Sequence, residues 1–108
     1  MTEAEWQQQF IDLAHFYRWK HMFVRRSVGR GRRWTTATNV PGWPDLFLWN
    51  EAQRRTMHVE LKSEGGVLSD DQRRVLQSLE AAGQEVHVFK PDDLTDARLV
   101  LAPQDGQR

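Results

Sequence analysis

The chain has 108 residues, enough for one domain with a modest core, and its 39% hydrophobic and 28% charged residues make it a folded chain rather than a disordered one. Cysteine is absent, which excludes a disulfide scaffold, a thiol nucleophile, a cysteine-held zinc site and an iron–sulfur cluster. Fifteen Lys and Arg balance fifteen Asp and Glu, yet seven of the basic residues (Arg18, Lys20, Arg25, Arg26, Arg30, Arg32, Arg33) fall between Leu13 and Pro44, where no acid occurs; zero net charge therefore hides a basic stripe suited to a polyanion.

In chain order, Trp6, Phe10, Leu13, Ala14 and Tyr17 recur at helical spacing and predict an amphipathic helix from residue 3 to about 19, with Thr2 as its cap. Residues 20–25 predict a short strand, and the Gly- and Arg-rich Ser27–Arg33 stretch, which has no periodicity, a mobile loop. Pro41-Gly42-Trp43-Pro44 is a turn signal that delivers the chain into a strand at Asp45–Trp49, followed by a polar hairpin loop from Asn50 to Arg55. Thr56–Lys62 alternates, with Met57, Val59 and Leu61 on one face and His58, Glu60 and Lys62 on the other. Ser69-Asp70-Asp71-Gln72 is a capping box that opens a helix through Val75, Leu76 and Leu79 and ends at Gly83. Glu85–Phe89 predicts a strand closed by Pro91, with a short helix at 92–98 and a strand at 99–101 beyond it. The expected architecture is α/β, in the order α-β-β-β-α-β with a mixed sheet flanked by helices: one domain over residues 1–102 and a disordered tail over 103–108. No apolar run nears the ~18 residues of a membrane span, and the first residues lack a basic-then-apolar export signal, so a cytoplasmic protein with no membrane partner is expected.

Three charged residues carry chemistry. Glu60 and Lys62 lie two apart on one strand and share a face, roughly 7 Å apart at the backbone. If the two strands pair through the polar hairpin, Asp45 reaches the same patch. Two adjacent carboxylates repel, and one protonates unless a cation sits between them. A hard divalent ion such as Mg²⁺ or Mn²⁺ resolves this, since carboxylate oxygens are its preferred ligands, and the Leu61 carbonyl is placed to add a third oxygen. The Lys62 ammonium would orient an attacking water and offset charge on a phosphoryl oxygen.

Gly42-Trp43-Pro44-Asp45-Leu46, then Glu60-Leu61-Lys62, then Gly66-Val67-Leu68-Ser69-Asp70-Asp71-Gln72, then Leu79 and Gly83, resemble in order the virus-type replication-repair nuclease (VRR-NUC) domain of the PD-(D/E)xK nuclease superfamily. The resemblance runs from about residue 3 to 94. It implies an αβββαβ restriction-endonuclease-like core, Mg²⁺ or Mn²⁺ dependence and hydrolysis of DNA phosphodiesters. It also implies kinship with stand-alone phage or prophage proteins that act as homodimers on branched DNA, including Holliday junctions; if phage-encoded, the protein would work in the bacterial host cytoplasm. By position, Asp45 and Glu60 become metal ligands and Lys62 the catalytic lysine. An acidic residue of the first helix joins the site in that family, and here Glu3 and Glu5 compete; Glu3 shares the face of the core-directed residues, and Glu5 points more than a right angle away. Gln72 matches the family's glutamine at the start of the second helix, although a capping box alone accounts for it.

Arg25, Arg26, Arg30, Arg32 and Arg33 are expected to bind DNA phosphates, which fixes position without reading sequence. Trp34 and Trp43 flank this stretch and suit stacking on unpaired bases. No nucleotide cofactor is expected. Two other readings stand beside the branched-DNA endonuclease: a flap or nicking endonuclease of a phage replication or packaging complex, and a DNA-binding module without catalysis.

Overall fold

The computed structural model describes residues 1–24, 26–28, 34–36 and 39–104, with the backbone alone at 26–28 and 34–36. The first helix, α1 (Glu3–Phe16), begins at a complete capping box in which the Thr2 hydroxyl accepts from the Glu5 N–H and the Glu5 carboxylate accepts from the Thr2 N–H. It ends about three residues before the expected boundary, at a turn where Arg18 takes φ +71° and the Arg18 and Trp19 N–H groups donate to the His15 and Ala14 carbonyls. Periodicity continued past this point because Tyr17 and Trp19 are also apolar and pack inward, but they do so from the turn.

Strands β1 (Lys20–Phe23), β4 (Leu46–Asn50), β5 (Arg55–Leu61) and β6 (Val86–Phe89) form one mixed sheet in the order β1-β4-β5-β6. The β1–β4 and β4–β5 pairs are antiparallel and β5–β6 is parallel, with α2 (Asp70–Ala81) as the crossover between β5 and β6. β2 (Arg26–Val28) and β3 (Trp34–Thr36) form a separate antiparallel pair, Arg26 opposite Thr36. Ser27 and Val28, expected in a loop, therefore belong to a ladder; residues 29–33 of that stretch lie outside the described residues. A lack of side-chain periodicity says nothing about backbone pairing, and that is what the composition missed.

The core lies between one sheet face and two helices. Trp6, Phe10 and Ala14 of α1 and Ala97 and Leu101 of α3 (Leu94–Leu101) close over Leu46, Leu48, Met57, Val59 and Leu61. Two buried indoles bind the helices to the frame: Trp6 Nε1 donates to the Phe89 carbonyl (3.2 Å) and Trp19 Nε1 to the Leu101 carbonyl (2.8 Å). The strand expected at 99–101 is instead the last turn of α3: Ala97 and Leu101 are buried while Leu99, midway between them, is exposed, which a strand's period of two would not give. The expected helix at 92–98 is met by a 3₁₀ turn, Pro91–Asp93, running into α3. Of the tail expected to be disordered, Pro103 and Gln104 are described and residues 105–108 lie outside the description.

α2 is capped as expected: Ser69 Oγ accepts from the Gln72 N–H and Gln72 Oε1 from the Ser69 N–H, while Gly83 at φ +90° ends the helix. What fixes α2 over the sheet is Gly42. It has φ +85°, and a Cβ built on it would fall 2.5 Å from the Asp71 carbonyl carbon and 2.6 Å from the Gln72 nitrogen. The turn before Asp45 thus rests directly on the first turn of α2, and only glycine fits. Gly42→Ala is expected to lower stability by about 2–4 kcal/mol, through the positive φ and the backbone clash together. Urea unfolding checks this, and a loss below about 1 kcal/mol would contradict the close approach.

Candidate active site

The ladder that pairs Leu46 with Val59 sets Asp45 opposite Glu60 one step further on, with both side chains on the face away from the core. Glu60 is 2% exposed, whereas Asp45, at the mouth, is open to solvent. Glu60 Oε1 accepts from the Asp45 N–H at 3.2 Å, and Glu60 Oε2 lies 3.8 Å from Lys62 Nζ and 3.4 Å from Gln72 Nε2. Burial first, and then the facing Asp45 carboxylate, push Glu60 up to about 8, against the opposing pull of Lys62 and the Asp45 N–H. A buried carboxylate set against a second one, with a single ammonium for relief, is a strongly electronegative pair.

Asp45, Glu60, Lys62, Gln72 and Glu3 all line one cleft of about 580 Å³. Glu3 reaches it from the start of α1, followed one turn later by Gln7 on the same face. Glu5 is instead committed to the cap with Thr2, whose hydrogen bonds hold its carboxyl below the usual range. Gln72 does both things that the sequence left open: its carbonyl oxygen closes the capping box, and its amide nitrogen faces Glu60. Leu61 buries its side chain in the core on the opposite face of β5, as a residue between Glu60 and Lys62 must.

The cleft has further walls that the motifs did not mark. Val24 and Val40 line it, as does Trp43. The Val24 N–H donates to the Asp45 carbonyl at 2.8 Å, so the end of β1 props the residue whose side chain faces Glu60. His58, on the same strand face as Glu60, is 8% exposed and packs edge-on against Trp43 (5.5 Å between centroids) and against Phe47 (5.0 Å). Nδ1 has no hydrogen-bond partner, and burial holds the ring's pKa below its ordinary value.

The basic stripe is less fully described. Arg25, Arg30, Arg32 and Arg33 lie outside the described residues, and Arg26 is placed in β2 by its backbone alone, as Trp34 is in β3.

Two hard carboxylates brought together in this way fit a divalent cation, because without one burial, and then the facing Asp45 carboxylate, favour the protonated form of Glu60 near neutral pH. Among the described residues, no three His, Asp or Glu side chains converge to hold a metal ion, so Glu3 shares the cleft without closing on the pair. Two carboxylates with water and substrate phosphate completing the shell is nevertheless how Mg²⁺ is commonly held.

A mixed sheet with a helical crossover, and an acid pair facing one another beside a lysine, define a nuclease-like α/β core. The VRR-NUC domain model matches residues 2–92 of the 108, and the chain belongs to that family, whose domains are nucleases acting on DNA. Comparison with curated proteins found no match. Among the described residues no helix is long and apolar enough to cross a membrane.

Proposed function

We propose that this chain is a divalent-metal-dependent, structure-specific DNA endonuclease that cuts branched DNA, Holliday junctions among it, as a homodimer. The observation that supports this most is the buried Glu60 carboxylate facing Asp45, with Lys62 Nζ 3.8 Å away at the wall of a solvent-open cleft.

Asp45 and Glu60, with the Leu61 carbonyl, would hold Mg²⁺ or Mn²⁺, which when bound supplies Lewis acidity at the phosphate and a more acidic water. Lys62 donates to the attacking water and orients it toward phosphorus. As the water oxygen bonds to phosphorus and the bond to the leaving sugar oxygen breaks, the ammonium offsets charge on the phosphoryl oxygen. The attacking water gives up its proton to solvent at the open mouth of the cleft, and the leaving oxygen takes one from the same solvent. Gln72 holds the Glu60 carboxylate in place through its amide nitrogen, and Glu3 adds negative charge at the rim, where solvent water enters.

The case for branched DNA rests on charge and size. The basic residues between Leu13 and Pro44 suit phosphates at any sequence, and recognition by phosphate position reads shape rather than base order. A domain of 108 residues covers too little DNA to cut two strands of a junction together, and a two-fold dimer would match the two-fold junction.

The test compares labelled four-way junction, flap and linear duplex, with the oligomeric state measured by light scattering. Paired, symmetric incision of the junction by a dimer is expected, at a rate at least about tenfold above linear duplex, or ~1.4 kcal/mol of discrimination. A monomer that cuts flaps or duplex equally well would contradict the branched-DNA reading and favour a flap or nicking enzyme.

A further inference from the structure

Lys62 belongs to two cavities. Besides the active-site cleft, it lines a second pocket of about 270 Å³, together with Val67, Leu68, Arg73 and Lys90. Val67 lines both as well, and is 76% exposed. The two cavities therefore meet along Lys62 and Val67 and form one continuous track over the end of β5.

The charge of the second pocket follows from the fold. The parallel ladder pairs Leu61 with Phe89, the Lys62 N–H donates to the Phe89 carbonyl at 3.1 Å, and one step on Lys62 comes beside Lys90. Like charges on adjacent strands repel. Arg73, in the first turn of α2, adds a third cation above them. No acid lines this pocket among the described residues. The nearby carboxylates are largely turned to backbone: Glu64 accepts from the Asp92 N–H and Asp93 from the Lys90 N–H, both at 2.8 Å. Asp70 meets Arg73 only at 3.4 Å and with both side chains more than half exposed, an ion pair too solvated to hold the guanidinium.

Resting on the nuclease reading above, we infer that this pocket is a phosphate subsite for the same DNA strand: Arg73 and Lys90 hold a backbone phosphate flanking the scissile one, and the exposed Val67 lies against the sugar between them. An anion there relieves the repulsion of Lys62 and Lys90 and aligns the strand on the lysine that acts in the cleft. The two residues are positioning residues. They are separate in the sequence from the basic stripe before Pro44, and each has a pair of acids two and three positions away in the chain, so neither composition nor charge runs pick them out.

The test uses the full chain and a labelled four-way junction in EDTA, with binding measured over a salt series for the parent, for Arg73→Gln/Lys90→Gln, and for the charge-retaining Arg73→Lys/Lys90→Arg. Loss of this one phosphate contact is expected to lower the slope of log K against log salt by about 0.9 on duplex arms, and the charge-retaining variant is expected to restore it. A neutral methylphosphonate placed beside the cut site should weaken the parent and leave the Gln variant unchanged. An unaltered slope in the Gln variant, or an equal loss in the charge-retaining one, overturns the subsite while the parent still binds. A parent that fails to bind DNA removes the nuclease reading instead, and the subsite with it.

Discussion

Lys62→Met is expected to cut DNA about 10²–10³-fold more slowly than the parent while folding normally. The magnitude comes from the charge that Lys62 places beside the reacting phosphate. One ammonium at about 4 Å, in an effective dielectric near 20, is worth roughly 4 kcal/mol before desolvation, and removing a donor of this kind elsewhere costs about 2.7–4 kcal/mol. Methionine keeps the length of the chain and its packing along the cleft wall, so the loss falls on kcat rather than on stability. Single-turnover cleavage measures it; a variant that cuts as fast as the parent would remove Lys62 from the mechanism even with the fold intact.

Glu60→Gln is expected to abolish metal-supported cleavage and to stabilise the metal-free protein. Gln keeps the volume and can still accept from the Asp45 N–H through its carbonyl oxygen. Glu60 in the folded protein stands raised to about 8 from an ordinary value of 4.5. Between those values the folded chain holds a proton that the unfolded chain has released, so stability falls as pH rises through that window and levels off above it. Each pH unit is worth up to about 1.4 kcal/mol, and allowing for relaxation around the site the parent loses about 2–4 kcal/mol by pH 8. Gln has no proton to lose, so the two proteins should be close near pH 5 and diverge toward pH 8 in EDTA. Thermal melts across that range measure the gap, and parallel curves for the two proteins would contradict the electrostatics of the pair. Removing the proton from Glu60 is also what a bound divalent cation would do, so the residue that destabilises the metal-free protein is the one best placed to hold the metal.

Much of this site was legible because it is built from local patterns. The hairpin between Asn50 and Arg55 fixes register, and register alone brings Asp45 opposite Glu60, fifteen residues away. The capping box at Ser69 likewise fixes where α2 begins, and so where Gln72 points. What could not be read is what each face meets. Thr56–Lys62 alternates like a half-exposed strand, yet His58 and Glu60 are as buried as the residues facing the core, because Trp43 and the start of α2 cover the side that the pattern marks as polar. Glycine at 42 read as a turn former, but its close contact with Asp71 and Gln72 is a tertiary fact with no local signature. The short strands β2 and β3 escaped for a related reason: three-residue ladders lack the length to show a period. The last turn of α3 was misread as a strand because Leu99, Val100 and Leu101 are consecutive and apolar, and only their burial separates the exposed Leu99 from the buried Leu101.

Cleavage of a labelled four-way junction by the parent protein in Mg²⁺, in Mn²⁺ and in EDTA tests the paired carboxylates most directly. A nuclease built on Asp45, Glu60 and Lys62 cuts in either metal and stops in EDTA, with activity restored when the metal is returned in excess. Cutting that continues undiminished in EDTA would contradict a metal held by Asp45 and Glu60, and tight junction binding with no cleavage in any metal would leave a DNA-binding module in its place.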